Sequence, residues 1–283
     1  MVRIGIVGTE SSHAKGFLKF KEYMPEDVVI TSVLEDGDGT GESLAKEIGI
    51  PYVVYAIQEM LIYVDAVMIF YRSVGKHYKF AKFLLNEGKS VWLDKPFTET
   101  VYQARELFVL AKEKGLTIDG GSTLRFCADV QKFSALIQKE EHLFSGNFNY
   151  PGMTESPYGG LMFYGPHSLT LLVKLFGTDV ISLFAMKHNK ELLLSVRYEQ
   201  FVVSVHIVDE FEHVYGEIYT PQDIIRKQFN FVDIYRKGLL HFCELLNKRE
   251  CGEYELLVLP VALLRAVYRS LESGKEELIE PWK

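Results

Sequence analysis

The residue types best suited to bind a ligand fall in three short stretches. The first is Gly8-Thr9-Glu10-Ser11-Ser12-His13, which follows the apolar run Val2 to Val7. In doubly wound domains such a turn holds a phosphate, because a glycine tightens it and the helix N-terminus offers free amides. A dinucleotide fingerprint would place glycines at 8, 10 and 13, and only Gly8 is kept. Glu10 stands where the backbone should approach a pyrophosphate, and its carboxylate repels one unless it turns away. His13 stands where a small residue lets helix and strand pack closely. Ser11 and Ser12 supply hydroxyl donors, so Gly8, Thr9, Ser11, Ser12 and His13 are the cofactor candidates of this turn. The same residues also read as a capped helix with no ligand, Ser11 or Ser12 being the cap.

The second stretch, Val33-Leu34-Glu35-Asp36, ends another apolar run. An acid at that place can bind both ribose hydroxyls of an adenosine cofactor and repel a 2′-phosphate. Glu35, Asp36 and Asp38, with no Arg or Lys nearby in sequence, favour NAD over NADP; a solvated acidic turn explains the same residues. The third stretch is Val91-Trp92-Leu93-Asp94-Lys95-Pro96-Phe97. An acid-Lys-Pro triplet at the end of a buried strand puts a lysine at the carboxyl edge of a parallel sheet, where ligands bind. A strand-end salt bridge is the plainer reading of Lys95 alone. His13 and His77 both open helices on that side of the chain, where packing or helix capping explains them nearly as well. His206 and His213 flank Asp209, Glu210 and Glu212, but strand spacing sends the two histidines to opposite faces. With no HExxH and no paired His-Glu motif, no metal site is expected.

These positions need a scaffold that brings strand ends together, and the first 120 residues have its pattern. Apolar runs at Val2 to Val7, Val28 to Leu34, Pro51 to Val54, Ala66 to Phe70, Val91 to Leu93 and Thr117 to Asp119 read as strands. Helical segments read between them at about Ser12 to Tyr23, Glu42 to Ile48, Gln58 to Ile62, Lys76 to Asn86 and Val101 to Lys114. Such alternation predicts a parallel sheet covered on both faces. After Gly120-Gly121 the character changes. A helix is expected over Asp129 to Lys139. Alternating stretches at Val180 to Met186, Leu192 to Tyr198, Phe201 to Val208 and Val214 to Tyr219 predict an antiparallel sheet. Helices follow over Phe231 to Lys248 and Tyr254 to Ser273, with a last strand at Glu277 to Ile279. The expected architecture is α/β: a Rossmann-type doubly wound domain over 1–120, joined closely to an α+β substrate and oligomerisation domain over 121–283.

Composition narrows the function classes. The 283 residues include 48% hydrophobic and 24% charged types, which excludes a disordered, collagen-like or disulfide-scaffold chain. Thirty-eight acids against 31 Lys and Arg leave a net charge of −7, which disfavours nucleic-acid binding. Cys127, Cys243 and Cys251 form no CxxC pair and point to a reducing compartment. The N-terminus lacks a signal-peptide pattern. The apolar stretch Leu256 to Leu264 is too short to span a bilayer. A cytoplasmic protein without membrane partners is expected.

The acid-Lys-Pro triplet resembles that of the Gfo/Idh/MocA family of NAD(P)-dependent oxidoreductases, in which Glu-Lys-Pro is usual, so Asp94 is one methylene shorter. The resemblance extends over nearly the whole chain. Asp65 to Ile69 followed by His77 is similar to the family's fourth strand and the histidine of the next helix. Gly115 to Phe126, ending Leu124-Arg125-Phe126 with Thr123 near the usual Asn, is similar to the crossover into the second domain. Tyr158-Gly159-Gly160 through His167 to Gly177 resembles the glycine-led helix that carries the catalytic histidine.

The resemblance implies hydride transfer, with Lys95 and His167 flanking the reacting carbon. A neutral imidazole is a suitable base near pH 7. A lysine can orient the hydroxyl and stabilise charge developing on oxygen. It also implies cofactor contacts from His77, Asp94, Lys95 and Pro96. Two family acids are absent: Phe163 stands four residues before His167, and Thr170 three after it. Tyr164 is a possible substitute proton donor; the alternative is aromatic packing among Tyr158, Phe163 and Phe176. Tyr150, Tyr158 and Tyr164 could stack on a sugar or fill a core. The leading expectation is an NAD-dependent oxidoreductase acting on a sugar, polyol or similar small molecule. The alternative is a catalytically silent relative that senses a nucleotide or sugar. A homo-oligomer, dimer or tetramer, would form on the sheet face around Leu192 to Val208.

Overall fold

The computed structural model describes residues 1–140, 142–155, 159–209 and 211–283. Its first elements are β1 (Val2–Val7), α1 (Ser12–Leu18), β2 (Val28–Leu34), α2 (Thr40–Ile48), β3 (Tyr52–Val54) and α3 (Ile57–Met60). Then come β4 (Ala66–Ile69), α4 (Val74–Asn86), β5 (Ser90–Leu93), α5 (Val101–Glu113) and β6 (Ile118–Gly120). The later part contains α6 (Ala128–Ile137), β7 (Ser145–Pro151), α7 (Leu161–Phe176), β8 (Ser182–His188), β9 (Glu191–Arg197), β10 (Val202–Val208), β11 (Val214–Tyr219) and β12 (Ile224–Phe229). It ends with α8 (Ile234–Lys248), α9 (Tyr254–Ser273) and β13 (Glu277–Leu278).

Two compact units result. One comprises Met1–Gly121 with Tyr235–Leu257, the other Ser122–Ile234 with Val258–Lys283. The division near residue 120 thus falls at the end of β6, while a segment assigned in sequence to the second domain groups with the first. The reason is aromatic. Tyr235 packs on Phe17 with ring centroids 5.2 Å apart, and Phe242 packs on Trp92 at 5.7 Å.

In the first unit the strands form a sheet in the order β3-β2-β1-β4-β5-β6, with every pairing parallel. All four residues of β4 and of β5 are buried, as expected of strands covered on both faces. Helix α1 is shorter than its periodicity predicts. It stops at Leu18, and a single 3-10 turn over Lys21–Tyr23 follows. Pro25 disfavours helical backbone at the residue before it, so the segment tightens and ends.

The second unit has a sheet in the order β12-β11-β7-β10-β9-β8-β13. It is mainly antiparallel, except that β7 runs parallel to β10. Two of these strands were not expected from sequence. β7 reads Ser-Gly-Asn-Phe-Asn-Tyr-Pro, yet it lies inside the sheet, and its Gly146 lets the Phe176 ring close in: a Cβ there would sit 2.3 Å from Cε1. β12 carries Arg226 and Lys227 and forms an edge, where charge discourages further pairing. Among the described residues, no helix is long and apolar enough to cross a membrane.

Register aligns the strand ends that matter. Val7 pairs with Ile69, Ile69 with Leu93, and Leu93 with Gly120. The segments after β1, β4, β5 and β6 therefore lie side by side at the carboxyl edge. Two glycines permit this. Gly8 has φ +78°, and a Cβ there would lie 2.3 Å from the Tyr71 amide nitrogen. Gly120 has φ +146°, and its Cβ would lie 1.8 Å from the Leu93 carbonyl oxygen. Gly8→Ala should therefore cost at least about 1–3 kcal/mol from backbone strain alone. A fall in the urea midpoint at constant m would show it; an unchanged midpoint would mean that the turn is not under this constraint.

Candidate functional site

Asp94 and Lys95 follow β5, and both are buried. The Asp94 amide continues the sheet by donating to Ile69 O at 2.8 Å. Its carboxylate accepts from His13 Nδ1 at 2.7 Å, across 81 residues of sequence. An ionised carboxylate only accepts, so the His13 proton is on Nδ1. The His13 ring packs against Tyr235 at 5.4 Å. Burial pushes the Asp94 pKa up. The charge and hydrogen bond of His13, with the charge of Lys95, outweigh that and hold it below the usual carboxylate value. Lys95 is pushed down to about 8, chiefly by burial and also by the charge of Arg72, with Asp94 opposing. Such an ammonium changes its protonation state near the pH at which an acid-base group is useful.

His77 braces this edge from below. Fully buried, it places Nδ1 2.7 Å from Pro96 O and Nε2 2.6 Å from Tyr71 O, so it links the segments after β5 and β4. Burial pushes its pKa down. A neutral ring donates one N–H at a time, to one carbonyl or the other. Both nitrogens are thus directed at backbone, and His77 positions the edge rather than presenting an atom to a cofactor.

The turn after β1 is a helix cap. Ser11 Oγ accepts from the His13 amide at 3.3 Å, which settles which serine caps α1; Ser12 is exposed. Glu10 turns to the segment after β4, where its carboxylate accepts from the Arg72 amide at 3.1 Å. The repulsion expected at the second glycine position is thereby reduced. Thr9 Oγ1 meets Thr40 Oγ1 at 2.7 Å, at the start of α2.

Glu35 behaves differently from its sequence reading. Its Oε1 accepts from the amides of Gly37 at 2.7 Å and Gly39 at 2.9 Å. Its Oε2 accepts from Gly41 at 2.9 Å and Glu42 at 3.2 Å. Burial raises its pKa, but the four amides prevail and lower it. The carboxylate serves as the internal cap of α2, not as an outward acceptor for ribose. Nor is the turn without cations: Lys76 Nζ lies 2.7 Å from Asp36, and Lys15 enters the neighbouring hollow.

In the second unit, His167 lies on α7, half-buried, with Nδ1 2.7 Å from Ser122 Oγ. Ser122 is buried and also accepts from the Leu124 amide at 3.3 Å. Sequence reasoning missed this serine; its only signal was its place between Gly120-Gly121 and Leu124-Arg125-Phe126. Tyr150 flanks His167, with ring centroids 5.8 Å apart. Phe163 packs edge-on against Tyr164 at 5.1 Å, and Phe176 packs on Phe201. Tyr158 lies outside the described residues. Thr170 is buried. His206 pairs with Glu191 at 3.3 Å on the exposed sheet face. His213 lies just before β11, with Nδ1 3.4 Å from Gln228 Nε2; Glu210 lies outside the described residues. Among the described residues, no group of three metal-ligating side chains is placed to hold an ion.

Residues 2–121 match the family profile described as "Oxidoreductase family, NAD-binding Rossmann fold", GFO_IDH_MocA. The chain is 33% identical over 118 residues to the uncharacterized oxidoreductase YhhX of Escherichia coli (strain K12), an alignment covering 36% of this chain and 32% of that protein. It therefore spans about a third of the length of such curated relatives. A second relative, the uncharacterized oxidoreductase C115.03 of Schizosaccharomyces pombe, is 27% identical over 193 residues, 62% of this chain and 52% of that one. Among solved structures, the fold matches myo-inositol 2-dehydrogenase from Lactobacillus plantarum with TM-score 0.84 at 12% identity, covering 99% of both chains. It matches scyllo-inositol dehydrogenase from Lactobacillus casei, solved with NAD(H) and scyllo-inositol, with TM-score 0.84 at 14% identity and the same coverage.

The His13–Asp94 pair should carry measurable stability. His13→Ala leaves a buried carboxylate without its imidazole and should cost about 3 kcal/mol at pH 7. Because the folded pKa of Asp94 is lowered, its contribution is complete above the unfolded value near 4 and is lost as pH falls through the folded value. Denaturant titrations between pH 2 and 7 should show a shallower acid limb in His13→Ala than in the parent. Superimposable limbs would contradict the pairing.

Proposed function

We propose, from the match of residues 2–121 to the Gfo/Idh/MocA oxidoreductase profile, that the chain is an NAD-dependent oxidoreductase. Its substrate would be a small polar molecule bearing a hydroxyl or carbonyl, of the sugar or polyol class. The observation that carries this reading is Lys95, buried beside Asp94 at the carboxyl edge of a parallel Rossmann sheet. The scyllo-inositol dehydrogenase with the same fold supports the polyol class.

The residues present fit the dinucleotide. Gly8 keeps the tight turn, Glu10 is engaged by the Arg72 amide, and hydroxyls of Thr9, Ser11 and Ser12 stand in the turn. Bound NAD would supply the hydride acceptor, and the protein's own groups position the substrate and move its proton. Gly8 to Ser12, at the α1 N-terminus, would hold the pyrophosphate. Lys95 would orient the hydroxyl and stabilise charge on its oxygen. In the tautomer that donates from Nδ1 to Ser122 Oγ, His167 would have its basic nitrogen at Nε2. That atom would take the hydroxyl proton as the C–H bond yields its hydride. Tyr164, three residues before His167, would be a second donor where Phe163 replaces the family's acid. Acids of the β2–α2 turn would favour NAD over NADP. A dimer or tetramer would form on the open face around Leu193 and Val202, both exposed. The cytoplasm would keep Cys127, Cys243 and Cys251 as free thiols.

Trp92 provides the test. It is buried between Phe17 and Phe242, three residues before Lys95. NADH should quench its emission. No change in emission and no heat of binding at millimolar cofactor would overturn the reading. Lys95→Ala and His167→Ala should each lower kcat by about 10²–10⁴-fold with little change in NADH affinity. Variants that lose affinity, in a parent without turnover on any polyol, would favour a sensor.

A further inference from the structure

The β2–α2 turn holds three acids, and the structure gives them different tasks. Glu35, where an adenosine ribose would ordinarily be read, is 6% exposed and accepts four backbone amides. Two carboxylate oxygens have about four lone-pair sites. Offering one to a ribose would mean releasing an amide at the head of α2. Asp36 lies against Lys76 at 2.7 Å, and that ion pair offsets its charge. Asp38 remains.

Wrapping Gly37 and Gly39 around Glu35 carries Asp38 to the rim of a hollow of about 360 Å³, also lined by Thr9, Lys15, Thr40, Ser43 and Glu47. Thr9 follows Gly8, so the hollow adjoins the turn that would hold the pyrophosphate. Asp38 Oδ1 accepts from the Thr40 amide at 2.9 Å and hydroxyl at 2.5 Å, while Oδ2 takes part in neither bond. The Thr40 hydroxyl and amide hold the Asp38 pKa below the usual value against a small burial effect, with help from the charge of Lys76. Asp38 is thus anionic at neutral pH. Lys15 in the same hollow is paired with Glu47 at 2.7 Å.

We infer that Asp38, and not Glu35, selects between the two nicotinamide dinucleotides, accepting the adenosine 2′-hydroxyl and excluding a 2′-phosphate by charge. The inference rests on the proposed dinucleotide binding and adds its specificity residue. With the Asp38 charge removed, the hollow holds hydroxyls of Thr9, Thr40 and Ser43 beside a neutral Lys15–Glu47 pair, a lining that a phosphate can use.

The test is equilibrium binding of NADH and of NADPH to the full chain, followed by Trp92 emission and by calorimetry. The parent is compared with Asp38→Asn, which keeps an Oδ1 acceptor for Thr40, and with Glu35→Gln. The expected results are a preference of the parent for NADH and a gain of about tenfold or more in NADPH affinity for Asp38→Asn. Glu35→Gln should lower the melting temperature and leave the NADH/NADPH ratio as it was. A ratio unmoved by Asp38→Asn while NADH still binds overturns this inference alone. So does a ratio that collapses in Glu35→Gln, or a parent that prefers NADPH. A folded parent that binds neither dinucleotide overturns both the inference and the reading beneath it. If Glu35→Gln does not fold, the Asp38→Asn ratio decides by itself.

Discussion

A carboxylate removed from water at the end of β5 constrains its whole neighbourhood. Burying an isolated charge costs far more than a domain's net stability, so Asp94 must be answered by hydrogen bonds and by charges of opposite sign. His13 answers it directly. The ring that reaches Asp94 occupies the position where a dinucleotide fingerprint would have its last glycine, so the eroded fingerprint and the shortened Asp-Lys-Pro triplet belong to one interaction. Tyr235, from a helix more than two hundred residues later in sequence, covers the imidazole. Lys95 then stands next to an anion in a buried setting, which tempers the fall in its pKa without restoring the free-lysine value.

The same economy recurs along the edge. Polar groups that sequence patterns mark as ligand contacts are partly spent on holding loops in place. His77 ties Tyr71 to Pro96, Glu35 gathers four amides, and Ser11 caps its own helix. Within the first unit the Gly8 turn, Lys95 and the Asp38 rim lie along the same carboxyl edge, while the second unit holds the Ser122–His167 contact on its own. The loops at this edge keep their geometry without a ligand, because carbonyls and amides of the backbone hold His77, Glu35 and Ser11 in place.

How much could be read from sequence follows from what each feature depends on. The limits of β1 and β2 were clear because buried parallel strands need unbroken β-branched and aliphatic runs. The Asp94-Lys95-Pro96 position was clear because it ends such a run. β7 was hidden: two asparagines and a glycine carry little strand signal, and only a neighbouring ring and flanking strands make a strand of them. The His13–Asp94 and Ser122–His167 contacts were hidden because they join residues 81 and 45 positions apart. The inward turn of Glu35 was hidden as well, since an acidic Asp-Gly repeat looks solvated until its amides are seen converging on one carboxylate. The return of Tyr235–Leu257 to the first unit has no local mark, only aromatic residues whose partners lie far away.

The carboxyl edge depends on Lys95 being buried beside an anion, and the titration of Lys95 tests that most directly. With lysines isotopically labelled and Lys95 assigned through Lys95→Arg, NMR should show an amine titrating near pH 8. In Asp94→Asn that midpoint should move lower still, because the neighbouring anion no longer supports the ammonium. A Lys95 that titrates near the free value of about 10.4, unmoved by Asp94→Asn, would mean that it is neither buried nor coupled to that anion.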